Sequence, residues 1–82
     1  MSEFAVEVRV VPRAGLLDPQ GNAVEHALRS LDFKEVADVR VGRLIRLNVE
    51  AASAEAARER AEEMCRKLLA NPVTEDFRVE VA

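Results

Sequence analysis

The stretch VADVRVGRLIRLNVE, residues 36–50, decides how many strands the sheet of this protein has. Aliphatic residues alternate with charged or polar ones on both sides of Gly42, which is the pattern of a half-buried strand. A two-residue turn would place aliphatic residues opposite arginines. A loop over residues 42–44 instead pairs Val39 with Leu47 and keeps the aliphatic residues on one face. The stretch therefore predicts a β-hairpin.

The hairpin register also has a consequence for its outer face. It places Arg40 opposite Arg46, and two like charges directly opposite each other on neighbouring strands are destabilising. The pairing is therefore unfavourable unless an acidic group covers these two arginines.

Four further elements flank this stretch, two strands with a period of two and two helices with an apolar stripe. They span residues 4–10, 19–31, 53–69 and 77–81. Asp18 fits the N-cap of the first helix and Pro19 its first position, and Ser53 fits the N-cap of the second. Asn71 and Pro72 stop the second helix, because the residue before a proline is disfavoured in the helical region.

The order strand, helix, strand, strand, helix, strand predicts one α+β domain over residues 1–82. With right-handed crossovers it favours a ferredoxin-like βαββαβ fold, in which a four-stranded, mainly antiparallel sheet carries both helices on one face. Phe4, Phe33 and Phe77 are expected in the core.

Length and composition bound the class of protein. A chain of 82 residues has a thin core, and such domains often rely on self-association, metals or disulfides. The single cysteine, Cys65, excludes a disulfide framework and favours a reducing compartment. With His26 as the only histidine, a structural zinc is not expected. Self-association is therefore the expected source of additional stability for this small domain.

Charge and hydropathy exclude two classes of partner. The net charge is -3 with both signs mixed along the chain, so no basic face is expected for a nucleic acid. Apolar runs fall far short of the ~20 residues that span a bilayer, and the acidic start does not resemble a signal peptide. We expect a cytoplasmic protein without a membrane partner.

No residue type in the sequence points to catalysis. His26 lies between stripe positions and is interpreted as a surface histidine, whereas Cys65 lies on the apolar stripe and is interpreted as core. The glutamates of the second helix alternate with arginines, as on a solvated face. Phosphate-binding, dinucleotide-binding and metal-ligand motifs are absent. We expect no catalytic, cofactor-binding or metal-binding residue in the chain.

Three segments carry a family resemblance, namely RAGLLDPQGNAVEHAL (13–28), VRVGRLIRL (39–47) and CRKLLANPVTEDFRVEV (65–81). Together they closely resemble the small PurS subunits of bacterial phosphoribosylformylglycinamidine synthase, also called formylglycinamide ribonucleotide amidotransferase. The resemblance covers essentially the whole chain. One departure is Asp32, where we expect a family glycine to close the first helix in the left-handed conformation.

The resemblance implies a role in purine biosynthesis. In that complex a glutaminase subunit releases ammonia from glutamine, and a large synthetase subunit uses it with ATP and Mg²⁺ to convert formylglycinamide ribonucleotide to the amidine. The small subunit has no catalytic role and no cofactor of its own. It forms a homodimer or homotetramer and joins the two larger subunits.

Nine residues are candidates for contacts with partner chains. They are Asp18, Pro19, Gln20, Gly21, Arg40, Gly42, Arg43, Asn71 and Pro72. Local explanations stay open beside this hypothesis, because four of the nine serve equally as helix caps and stops and two more, Arg40 and Arg43, as solvated charges.

Two rival functions belong to other classes. The first is a stand-alone regulatory module of the same fold that binds a small molecule such as an amino acid, with PRAGLLDPQG (12–21) as its ligand loop. The second is an RNA-binding sheet, which needs aromatic side chains on the outer face of the central strands. Glu7, Arg9, Arg40 and Arg46 are predicted at those positions, which disfavours RNA.

Overall fold

The computed structural model describes residues 1–15 and 18–82; Leu16 and Leu17, within the quoted stretch 13–28, lie outside the described residues. The strands are β1 (Ser2–Pro12), β2 (Arg43–Ala51) and β3 (Glu75–Val81), and the helices are α1 (Pro19–Ser30) and α2 (Ala54–Met64). A π-helical turn, Cys65–Leu69, continues α2. The first strand, both helices and the last strand are confirmed at nearly the predicted positions.

The predicted four-stranded sheet is wrong. The described residues form a three-stranded antiparallel sheet in the order β2-β1-β3. Residues 36–41 form no strand, and β2 begins at Arg43 without a preceding turn. A three-residue hairpin loop usually needs a residue with positive φ, and none of residues 42–44 has one. The chain therefore passes Gly42 without reversing.

The aliphatic residues of β2 find their partners on β1 instead. Ile45 lies opposite Val8, and Leu47 lies opposite Val6. The alternation of aliphatic and polar residues correctly predicted that these side chains share the core face, but it does not indicate which strand pairs with β2.

Side chains of α1 and of its N-cap residue form hydrogen bonds with backbone groups of residues 36–41. The Val41 amide donates to Asp18 Oδ2 at 3.0 Å, and the Val39 amide donates to Glu25 Oε1 at 3.3 Å. Arg29 donates to the Val36 carbonyl at 2.6 Å. The helix is thus attached to this segment, and the two together, residues 18–41, are called the arm. The remaining described residues are called the body.

The core of the body lies between the sheet and α2. Val6, Val8 and Val10 of β1 are fully buried against α2, where Ala57 and Ala61 are equally inaccessible. The two alanines allow the helix to approach the sheet closely, and the Ser53 hydroxyl caps it as predicted by accepting from the Ala56 amide at 3.1 Å. α2 packs on all three strands, whereas α1 lies away from them. The expectation of both helices on one face of the sheet is therefore wrong.

The arm extends from the body and has little core of its own. Val24 is 39% exposed, Phe33 48% and Leu31 68%, so the expectation that Phe33 lies in the core is wrong. The molecule measures 52 × 24 × 14 Å, with a radius of gyration of 16.1 Å. A compact chain of this length would have a radius of gyration of about 12 Å. The apolar stripe of α1 was correctly located along the helix but lacks an intramolecular partner in the described residues.

The C-terminus of α1 closes at Asp32 in the left-handed conformation, with φ 75°, at the position where a family glycine was expected. The Phe33 amide donates to the Leu28 carbonyl at 3.0 Å, and the Asp32 amide donates to the Arg29 carbonyl at 3.1 Å. These two bonds form a Schellman motif, which satisfies the last carbonyls of the helix.

The π-helical turn after α2 changes which residues face the core. The Ala70 amide donates to the Cys65 carbonyl, five residues earlier, at 3.0 Å. This wider turn keeps Cys65 buried but leaves Leu68 82% exposed. A regular α-helical repeat to the end of the helix would instead place Leu68 on the same apolar stripe as Cys65.

Candidate functional site

The candidate residues gather where the arm meets the body. Asp18 and Gly21 lie at the start of α1, and Gly42 and Arg43 connect the arm to β2. Asn71 lies on the segment between α2 and β3 that Arg43 reaches through Glu75. We call this region the junction. The sequence therefore selected residues from distant segments that the fold brings to one place.

Asp18 joins the first turn of α1 to the segment that enters β2. It occupies the N-cap position, but its side chain makes no capping hydrogen bond to the helix. Its Oδ2 accepts instead from the Val41 amide at 3.0 Å. This amide, with smaller effects from the amides of Gly21 and Gln20, holds the pKa of Asp18 below its ordinary value. The predicted N-cap position of Asp18 is confirmed, but the hydrogen bond of its side chain runs to Val41 and not to the helix.

Two glycines allow close backbone approach at the junction. A Cβ atom at Gly21 would overlap the Val39 carbonyl oxygen and the Asp18 carboxylate. A Cβ atom at Gly42 would overlap the Val10 carbonyl oxygen and lie 2.8 Å from Val11 Cγ1. Both glycines therefore fit where a larger residue would separate two segments. The sequence alone does not reveal this requirement, because each neighbouring segment is distant along the chain.

Arg43 ties β2 to the end of α2 and to β3. Its guanidinium donates to both Glu75 carboxylate oxygens, at 2.8 and 3.0 Å, and to the Leu69 carbonyl at 2.6 Å. The hydrogen bond with Glu75 raises the pKa of Arg43, and the same bond is the largest cause lowering the pKa of Glu75. Sequence reasoning did not select Glu75 as a candidate, and it lies 32 residues from Arg43.

Asn71 and Pro72 take part in the same network. The Asn71 amide donates to Glu75 Oε1 at 2.8 Å, and Asn71 Oδ1 accepts from the Val73 amide at 3.0 Å. Arg13, which sequence reasoning also missed, donates to the Pro72 carbonyl at 2.6 Å. These bonds fix the path between the end of α2 and β3, so Asn71 does more than stop the helix.

The other candidates lie on the surface near the junction. Pro19 and Gln20 are exposed, and Arg40 pairs with Asp38 at 3.2 Å. Arg46 pairs with Glu7 at 3.1 Å on the outer face of the sheet. Each arginine thus has an acidic neighbour, but the predicted cross-strand pairing of Arg40 with Arg46 is wrong, because residues 36–41 form no strand beside β2. Contact of any of the nine residues with a partner chain stays a prediction.

Cys65 and His26 are the cysteine and the histidine of the chain, and the structure describes both. Burial raises the pKa of the Cys65 thiol, with a further rise from Glu62, and this favours the unreactive protonated form. His26 is exposed at the surface of α1. Within residues 1–15 and 18–82 no group of three or more histidine, cysteine and acidic side chains is placed to hold a metal ion.

The outer face of the sheet is polar and open. Glu7, Arg46 and Glu80 line a shallow depression there, whereas Phe4 and Phe77 pack against the core on the other face. Aromatic residues for stacking RNA bases are thus absent from the described outer face. In the described part of the chain, no helix combines the length and the hydropathy needed to cross a bilayer.

Comparison with known proteins identifies relatives over nearly the whole chain. The family model PurS, described as phosphoribosylformylglycinamidine (FGAM) synthase, matches residues 5–82. The chain is 46% identical over 78 residues to the phosphoribosylformylglycinamidine synthase subunit PurS of Bacillus subtilis, covering 95% of this chain and 92% of the relative. It is 39% identical to the corresponding subunit of Methanocaldococcus jannaschii, covering 95% and 94%.

Solved structures agree with these relatives. The B. subtilis PurS crystal structure has a TM-score of 0.84 at 47% identity, covering 96% of this chain and 98% of that one. A chain in the structure of PurLQS from Thermotoga maritima has a TM-score of 0.88 at 35% identity, covering 100% of both chains. A fold similar to this one is therefore found within an assembly of PurS with other subunits.

Proposed function

Because the chain belongs to the PurS family of phosphoribosylformylglycinamidine synthase subunits, we propose that it joins the glutaminase and synthetase subunits of that enzyme. The complex converts formylglycinamide ribonucleotide, glutamine and ATP to the amidine, glutamate, ADP and phosphate. The observation that carries this proposal is the full-length match to a chain of the PurLQS structure. The chain acts by holding two larger subunits together so that ammonia passes between them.

The proposed role is structural, and two features of the chain support it. Burial raises the pKa of the Cys65 thiol and so favours its protonated form, and His26 lies exposed on α1, which leaves neither as an activated nucleophile or a positioned base. The extended arm and the open outer face offer surface for partners well beyond what a compact chain of this length exposes. We assign ATP and Mg²⁺ to the large subunit and place the complex in the cytoplasm, where a lone free thiol is stable.

Reconstitution tests the role in ammonia transfer. The purified large and glutaminase subunits are assayed for amidine formation with and without this chain, once with glutamine and once with ammonium chloride as the nitrogen source. We expect glutamine-dependent synthesis to need the chain and ammonia-dependent synthesis to proceed without it. Equal glutamine-dependent rates with and without the chain would refute the proposal. Dependence of the ammonia reaction on the chain would instead indicate a direct role in the synthetase step.

A further inference from the structure

We propose that a groove at the C-terminal end of α2 binds one of the two larger subunits, through a surface that presents an apolar side chain beside a carboxylate. The groove has a volume of about 240 Å³ and is lined by Arg60, Glu63, Met64, Lys67 and Leu68. We call it the α2 groove. This inference rests on the proposed function, because it names the place on this chain where a larger subunit binds.

The π-helical turn exposes a leucine that a regular helix would bury. Positions 61, 65 and 68 fall on one stripe of an α-helix, and Ala61 and Cys65 are fully buried. The wider turn from Cys65 to Ala70 breaks this spacing and leaves Leu68 82% exposed. Single π-helical turns inside α-helices are frequent at functional sites. The core of the single chain does not require this exposed leucine, so we infer that it serves a contact outside the chain.

The floor of the α2 groove is apolar and connected to the core. Met64 is partly buried against the core cluster and also lines the groove, and Leu68 lies one turn further along the chain. An apolar side chain that enters the groove would therefore be removed from water together with Leu68, which favours binding.

The rim of the α2 groove is basic, although the whole chain has a net charge of -3. Glu63 and Lys67 have the spacing of a helical ion pair, but Glu63 accepts instead from Arg60 at 3.0 Å. Among the described residues Lys67 has no ion-pair partner. A carboxylate on the partner is thus the complementary group, and such complementarity selects the partner and its orientation.

The position of Lys67 at a helix end explains its charge but not the neighbouring leucine. Cations near the C-terminus of a helix interact favourably with the helix dipole, and Arg66 and Lys67 both lie there. A solvated helix end gains nothing from an exposed leucine. The combination of Leu68 with Lys67 is therefore what indicates a binding surface.

A protein surface fits the α2 groove better than a lipid surface. Helices that lie on membranes bury a long apolar face in the lipid. The apolar face of α2, which includes Ala57 and Ala61, is already buried against the sheet. Only the short strip of Met64 and Leu68 remains, and this suits one inserted side chain of a partner protein.

Carbodiimide cross-linking tests the contact, because this reagent joins an amine to a carboxylate that touches it. Lys34 and Lys67 are the two lysines of the chain. In the assembled complex we expect an amide bond between Lys67 and an acidic residue of a larger subunit, located by mass spectrometry after digestion. Lys67→Arg keeps the charge and should remove this adduct, whereas the control Lys34→Arg should retain it. Lys67 left unmodified in the complex, or joined to a second copy of this chain, would overturn the inference.

Charge at the apolar floor provides an independent test. Leu68→Glu alters a residue that is 82% exposed, so the fold should survive. We expect the concentration of chain that half-restores glutamine-dependent synthesis to rise roughly tenfold or more, with an unchanged rate at saturation. Val73→Glu, at a residue 73% exposed and outside the groove, is the control and should leave that concentration nearly unchanged. Equal effects of the two substitutions would contradict the assignment of the groove.

The same assay separates the α2 groove from the assembly role. If synthesis requires the chain and Leu68→Glu supports it as well as the wild type does, the assembly role stands and the inference about the groove falls. Analytical ultracentrifugation of the isolated Leu68→Glu chain should show unchanged self-association; a loss of it would assign the groove to a second copy and overturn the inference. Synthesis that never requires the chain would refute the proposed function itself, and the groove with it.

Discussion

Replacing Gly21 by alanine tests whether α1 is held against residues 36–41. Within a helix, alanine is more favourable than glycine by up to about 1 kcal/mol, so propensity alone predicts stabilisation. In this fold the added methyl would overlap the Val39 carbonyl oxygen and the Asp18 carboxylate. Forcing an extra carbon into such a contact typically costs about 1–3 kcal/mol. We therefore expect Gly21→Ala to destabilise the chain by about 1–2 kcal/mol, opposite in sign to the propensity.

Two measurements check this expectation. Urea denaturation followed by circular dichroism gives the change in the free energy of unfolding, and hydrogen exchange locates the effect. Amides of α1 and of residues 36–41 should lose protection, while those of β1 keep it. Asn22→Ala, at the next and exposed position of the same helix, is the control and should gain about 0.5 kcal/mol from propensity alone. Gly21→Ala with greater stability than the wild type and unchanged protection of the arm would refute the attachment described above.

Three further predictions follow from the packing and the charges. Asp32→Gly should raise the free energy of unfolding by about 0.5–1 kcal/mol, because Asp32 has φ 75° and glycine adopts this conformation without strain. Asp32→Ala should lower the free energy of unfolding, and urea denaturation measures both changes. Val8→Ala should cost about 2–3 kcal/mol in the same assay, whereas Val73→Ala, at a residue 73% exposed, should change stability little. Arg43 lowers the pKa of Glu75 below its ordinary value of 4.5, so the stabilisation is present above that pH and is lost as the pH falls through the lower value of the folded state. Glu75→Gln should therefore be less stable than the wild type at neutral pH, with a difference that shrinks on acidification; a difference independent of pH would contradict the ion pair.

Periodicity determined most of the local structure. Alternation located β1 and β3, the apolar stripes located α1 and α2, and cap residues placed both helix starts because these signals act over a few neighbouring residues. Position 32 was likewise located as the end of α1, although a glycine was expected there and Asp32 itself adopts the left-handed conformation. The candidate residues at the junction were selected from a family resemblance, and their physical role was not predictable from spacing.

The amino-acid sequence alone sets the face on which each side chain of residues 36–50 lies, because alternation is a property of any extended chain. The partner of those side chains is set by the tertiary fold. A hairpin within the chain and pairing with β1 satisfy the same alternation, and the choice depends on contacts between distant residues. Asp18 and Glu25 bind the amides of residues 41 and 39, and Gly42 lets the chain pass close to Val10. These contacts direct β2 to β1 and leave the arm without a partner strand among the described residues.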